Sequence, residues 1–198
     1  MGIKELVKAH MSPELKKCSF KKYGNTWVRQ LVGARQVVNV QTSRLNADDH
    51  ERFTINFGVL FPEIWETCWQ KELPKAVRED DCFPRLRIGE VLDFSMQKKR
   101  DIWWELNQED DIDLVGEKIG SLLKDKCLPF LDKMSTETDV INLLSSTEIT
   151  LQPIEKIYFA IIKIRNGKQK EAIMLLDEVS NISSEWAELV ENVTARII

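Results

Sequence analysis

Apolar positions along this chain switch between two periods. Ile3, Leu6, Val7 and Leu15 recur at helical spacing and predict a first helix, with Ser12-Pro13 inside it as a cap-and-restart or a kink. From Thr26 the period falls to two. Thr26 to Val32, Gly33-Ala34 and Gln36 to Ser43 read as a tight hairpin, and a third strand, Arg52 to Leu60, follows the polar loop Asn46-Ala47-Asp48-Asp49-His50. Alternation places Val38 and Val40 on one face, and Val37, Asn39, Gln41 and Ser43 on the other. In the third strand Phe53, Ile55, Phe57 and Val59 share a face opposite Thr54, Asn56 and Gly58. The pattern predicts a half-buried antiparallel sheet with one amide-rich face.

Pro62 then opens a helix in which Trp65, Trp69 and Leu73 stack one turn apart. Two short strands follow, Arg85 to Val91 and Asp101 to Asn107. Glu109-Asp110-Asp111 suits a helix start, where carboxylates meet unpaired N–H groups; Ile112, Val115, Ile119, Leu122 and Leu123 form its buried stripe and Pro129 limits it. Ser135 to Ser146 is a shorter helix. Past residue 147 no strand signal remains: Pro153 to Arg165, Lys168 to Ser180 and a segment from Ser183-Ser184 all carry helical stripes, with Asn166-Gly167 as a C-cap. The expected fold is α+β: an antiparallel sheet of about five strands packed with helices over residues 1–146, then a C-terminal helical bundle over 147–198. Its three helices carry more apolar stripe than they can bury alone, so the bundle is expected to dock on the sheet domain.

Composition adds bounds. The 198 residues are 43% hydrophobic and 30% charged, which excludes collagen-like, disordered and disulfide-scaffold classes. The net charge of -4 conceals a gradient, with nine Lys or Arg against two Asp or Glu in residues 1–47, and ten against 19 in residues 101–198. A basic end suits nucleic acid or another anion; the plainer alternative is that the two ends face each other or water. No leader-like segment opens the chain, no 18 apolar residues run together, and Cys18, Cys68, Cys82 and Cys127 are scattered as reduced thiols are. A cytoplasmic location is expected, with no membrane contact.

Candidate chemistry is sparse. Two histidines and scattered cysteines show no metal-ligand spacing, and Asp48-Asp49-His50-Glu51 reads equally well as a solvated loop, so neither metal nor cofactor is expected. No Gly-x-Ser-x-Gly elbow or phosphate loop is present, and Gly116-x-x-x-Gly120 lies within an amphipathic helix. The polar sheet face is the better candidate. Asn39, Gln41, Ser43, Thr54 and Asn56 offer donors and acceptors on one side, Arg29, Arg85 and Arg87 are placed to reach the same concavity, and Trp104 is added as a recognition surface. The alternative is a wet face, or amides paired across strands.

Four segments carry a family resemblance: Phe20-Lys21-Lys22-x-Gly24-Asn25-Thr26-Trp27-x-Arg29; Val37-Val38-Asn39-Val40-Gln41-x-Ser43; Phe53-Thr54-Ile55-Asn56-x-Gly58-Val59; and Arg85-x-Arg87-Ile88-Gly89 with Trp103-Trp104-x-Leu106. In that order they resemble the domain of unknown function 4304 family, mostly bacterial proteins, over about residues 5–134. The resemblance implies an α+β domain and no particular activity. Tyr158-x-Ala160 with Gly167-Lys168-x-x-x-Ala172-Ile173 is similar to part of a tetratricopeptide helical hairpin, far short of a solenoid.

The leading expectation is a non-catalytic binding or accessory protein, of the immunity type that captures another protein. Behind it stands binding of a small anionic ligand or nucleic acid through the basic N-terminal sheet. A hydrolase with an unidentified carboxylate pair is third. A protein partner is expected and nucleic acid is not, with the chain a monomer or homodimer.

Overall fold

A computed structural model describes residues 2–47, 50–74, 76–92, 101–107, 111–146 and 149–197. Strands β1 (Lys21–Tyr23), β2 (Thr26–Gln30), β3 (Arg35–Thr42) and β4 (His50–Leu60) form an antiparallel meander. The 11 residues of β4 exceed what one short neighbour can cover, so its far edge takes two: β5 (Arg85–Arg87) beside Asn56–Gly58 and β6 (Trp104–Asn107) beside His50–Phe53. The fold is α+β, with six strands in this sheet rather than about five. The extra one is β1, an exposed edge of Lys21, Lys22 and Tyr23 with no apolar alternation to announce it.

Phe53, Ile55, Phe57 and Val59 line the inner face with Trp27, Val38 and Val40, all buried in one core. Two broken helices cover it. The first joins α1 (Ile3–Leu6), a π turn Val7–Met11 and α2 (Ser12–Lys17). After α3 (Pro62–Trp69) and α4 (Ile88–Leu92), the second joins α5 (Ile112–Leu122), a π turn Leu123–Cys127 and α6 (Leu128–Asp132). Each π turn holds the residue four before a proline, Ala9 for Pro13 and Asp125 for Pro129. A proline ring collides with that carbonyl in a regular α-helix, and the wider turn relieves the collision. Pro129 therefore does not stop its helix, contrary to the sequence expectation. The broken helices cross closely: a Cβ on Gly116 would overlap the His10 ring, and one on Gly120 would lie 3.4 Å from the His10 carbonyl oxygen. The Gly116-x-x-x-Gly120 spacing is a crossing point.

Two other expectations are corrected. The strand predicted over Arg85 to Val91 ends at Arg87, where the Glu90 carboxylate accepts from the Arg87 N–H at 2.7 Å and α4 begins. The helix opened by Pro62 ends at Trp69, because Gln70 turns left-handed at φ 52°, so Leu73 lies beyond it.

The remaining helices are α7 (Glu137–Ser145), α8 (Pro153–Arg165), α9 (Gln169–Ser180) and α10 (Ser184–Ile197). α8 and α9 lie antiparallel, tied at opposite ends by Lys156–Glu178 and Lys163–Glu171. α3 receives them. Trp69 Nε1 donates to the Tyr158 hydroxyl at 2.6 Å, Arg196 donates to the Thr67 carbonyl at 2.6 Å, and Arg165 pairs with Glu63. Ile157, Ile161, Leu176 and Val193 are buried in the same core as the inner sheet face. Residues 147–148, where the sequence places the boundary between parts, lie outside the described residues, as do Asp48 and Asp49.

Candidate functional site

Pairing register arranges the outer face of the sheet in rows. Tyr23, Thr26, Asn39, Asn56 and Arg87 stand opposite one another across β1 to β5. On one side lies the row Lys21, Val28, Val37, Gly58 and Arg85, and beyond it Gln30, Arg35 and Leu60. On the other side Gln41 faces Thr54, and the Ser43 N–H donates to the Arg52 carbonyl at 2.9 Å. Seven of the nine residues singled out from the sequence thus share this side: Asn39, Gln41, Ser43, Thr54, Asn56, Arg85 and Arg87.

Arg29 and Trp104 emerge on the inner side. Arg29 has the parity of buried Trp27, and that alternation was the available signal. Its Nε donates to Gln36 Oε1 at 2.8 Å, it pairs with Asp132, and its guanidinium sits 4.8 Å from the Phe20 ring centroid. Gln36 is fully buried and donates onward to the Leu131 carbonyl at 2.6 Å, so the pair ties the sheet to the end of α6. Trp104 stacks on Phe53 with centroids 5.5 Å apart. Its neighbour Trp103 holds the outer position, with the Arg52 and Arg87 guanidiniums 5.8 and 5.7 Å from its ring.

Much of the polar face is engaged by the protein itself. Asn56 is fully buried; its amide donates to Gln41 Oε1 at 3.0 Å while its own Oδ1 has no partner. Asn39 donates to Thr26 Oγ1 at 3.0 Å, and the buried Thr54 hydroxyl donates to the Ile102 carbonyl at 2.8 Å. The cations at this end are neutralised: Arg87 pairs with Asp101, Arg52 with Glu105 at 2.9 Å, and Arg85 with Asp80 at 3.0 Å. Burial acts to raise the Asp101 carboxyl, but hydrogen bonds from Arg87 and Trp103 and the charges of Arg87 and Arg52 hold it below the usual carboxylate range. The space that Gly58 leaves is filled by Cys82, which joins Val37, Leu60 and Val77 in a small second core on this face.

A cleft of about 650 Å³ remains at the β1–β3 end. Thr26, Val28 and Gln30 form its floor, Lys21 and Tyr23 one wall, and Arg35 and Ala76–Arg78 the opposite wall, with Ser19 at the rim. Among the described residues no carboxylate lines it. Arg78 is paired with Asp80 at 2.7 Å, but among the described residues Lys21 and Arg35 have no carboxylate partner, and Arg35 Nε is buried without a hydrogen bond. An anion entering this cleft meets two cations, exposed Lys21 and half-buried Arg35, that carry no competing carboxylate among the described residues. The sequence reading missed it, because β1 lacked a strand pattern and Ala76–Arg78 come from some fifty residues along the chain. The excess of basic residues before residue 47 was the one signal.

The chain matches the family described as Domain of unknown function (DUF4304) over residues 11–133. It belongs to that family. No curated protein and no solved structure matches it. The DUF4304 match contains the whole sheet, both walls of the cleft and the α5–α6 helix, and stops before α7.

Outside the cleft, His10 bonds Asp113 and His50 bonds Asn107, each at 2.9 Å, and among the described residues no three His, Cys, Asp or Glu side chains group as metal ligands. The thiols of this DUF4304 protein are free. Burial pushes Cys68 and Cys127 up to about 12 and Cys82 well above the usual thiol range, whereas Cys18 is only half-buried. Iodoacetamide at pH 8, followed by mass spectrometry, is expected to label Cys18 first and the other three only after denaturation. Equal rates at Cys18 and Cys127 would contradict this packing. No helix among the described residues is long and apolar enough to cross a membrane.

Proposed function

We propose that the protein is a non-catalytic binding protein whose ligand is an anion held in the cleft on the outer face of β1–β3. The observation that carries this reading is Arg35, which lines a cleft without carboxylates among the described residues, has no ion-pair partner there and holds a buried Nε without a hydrogen bond. A charge-assisted hydrogen bond contributes about 1.5–3 kcal/mol, so losing it weakens binding by roughly tenfold or more. Calorimetric titration with inorganic pyrophosphate at fixed ionic strength tests the reading. Wild type is expected to bind, and Arg35→Gln to bind at least about tenfold more weakly. Equal affinity of the two, or no binding by either, would reject it.

In the same proposal residues 1–146 are the ligand-binding part and 147–198 a brace docked on α3. A second reading is capture of another protein by the acidic C-terminal half, favoured by Met174, 65% exposed on α9. Its partner would be basic, given 19 acids against ten bases in residues 101–198. A salt-sensitive complex lost in Met174→Asp, with pyrophosphate binding intact, would favour that reading.

A further inference from the structure

Resting on the anion reading just given, we propose that the cleft takes a small organic phosphate bearing an aromatic ring, of about the size of a nucleoside monophosphate. Three features of its construction converge. First, its two ends differ. Arg35 stands in the row with Gln30, and Tyr23 in the row with Thr26, two rows away. Each row is two residues along a strand, so the ends are offset by about 13 Å along the strands at about 3.3 Å per residue and by two strand spacings of about 4.8 Å across them, about 16 Å between backbones. A guanidinium fork at one end suits a phosphate, whose oxygens accept two parallel N–H bonds. At the other end the Tyr23 ring is 61% exposed and engages no other ring among the described residues.

Second, the middle of the cleft is partly apolar. Val28 lies between the ends in the row that also holds Lys21, and Val77 adds an apolar side chain to the wall. Such a lining favours a ligand with a body over a bare inorganic ion. Third, a volume of about 650 Å³ falls inside the roughly 300–1,000 Å³ range of small-molecule sites. A ring laid on an aromatic side chain contributes about 1–3 kcal/mol, a margin large enough to read in a titration.

The test is calorimetry on the full chain with adenosine 5′-monophosphate, ribose 5-phosphate and adenosine, in wild type, Arg35→Gln and Tyr23→Ala. Thermal midpoints confirm that the variants fold; Tyr23 sits on an exposed edge strand, where truncation removes no core contact. The monophosphate is expected to bind roughly tenfold tighter than ribose 5-phosphate, a ratio set by stacking on the ring. Tyr23→Ala should erase that margin and leave ribose 5-phosphate binding unchanged. Arg35→Gln should weaken both phosphates and leave adenosine unaffected. Equal affinity for monophosphate and ribose 5-phosphate would overturn this inference while the anion reading stands. No binding of either phosphate, with pyrophosphate also inert, would remove both. A single-stranded oligonucleotide binding far tighter than the monophosphate, with steep salt dependence, would overturn it in favour of a nucleic-acid strand.

Discussion

Alanine in place of Gly58 is expected to lower stability by about 3 kcal/mol, the upper end of the cost of overpacking a core. Gly58 lies mid-strand between Val37 and Arg85, and a Cβ there would overlap the Cys82 Cβ and come within 2.9 Å of its Sγ. Cys82 has nowhere to retreat. The segment behind it is fastened to β4 by Phe83 N–H to the Val59 carbonyl at 2.7 Å and by Val59 N–H to the Pro84 carbonyl at 3.1 Å. The substitution must therefore bend the strand or push out the segment that carries Ala76–Arg78. In the second case anion binding falls together with stability, because those residues form a wall of the cleft. Urea unfolding of Gly58→Ala measures the first effect and pyrophosphate titration the second. A loss under about 0.5 kcal/mol, ordinary for a surface site, would show that the strand and the Cys82 segment are not pressed together.

A chain ending at residue 146 is expected not to fold cooperatively. α8 is buried nearly all round, with Ile157, Tyr158, Phe159, Ala160, Ile161 and Ile162 all buried. The Phe83 ring packs against Tyr158 and Phe159 at 6.2 and 5.9 Å between centroids. Removing the tail uncovers Phe83, Ile64 and Cys68, and leaves the Trp69 indole without its Tyr158 acceptor. Each large apolar side chain left in water forfeits about 1.5–3 kcal/mol, so uncovering these core residues costs an amount comparable with the roughly 5–15 kcal/mol of net stability that a domain has. Thermal melting followed by circular dichroism should show a broad, shallow loss of signal. A sharp transition near the full-length midpoint would mean that the sheet and its covering helices fold without the brace.

Strand period and helix period, written locally in the chain, were enough for the meander, the inner-face residues and the bounds of the last three helices. Phe53, Ile55, Phe57 and Val59 can point only one way once alternation is granted, and the amide row opposite them follows. Where a local rule competed with packing, packing decided. Pro129 breaks a regular helix in isolation, yet a π turn carries the chain past it under the cover of the sheet. Arg29 and Trp104 looked polar-faced by chemistry, but parity with Trp27 and pairing with Phe53 put them inside. Beyond an excess of basic residues, the cleft was a product of tertiary structure. Its walls come from an edge strand without apolar pattern and a loop some fifty residues later, which Val77 docks on the sheet by packing with Val37, Leu60 and Cys82. Periodicity reports which side of its own element a residue occupies. What stands opposite it depends on how distant segments close around the core, and that information is not local.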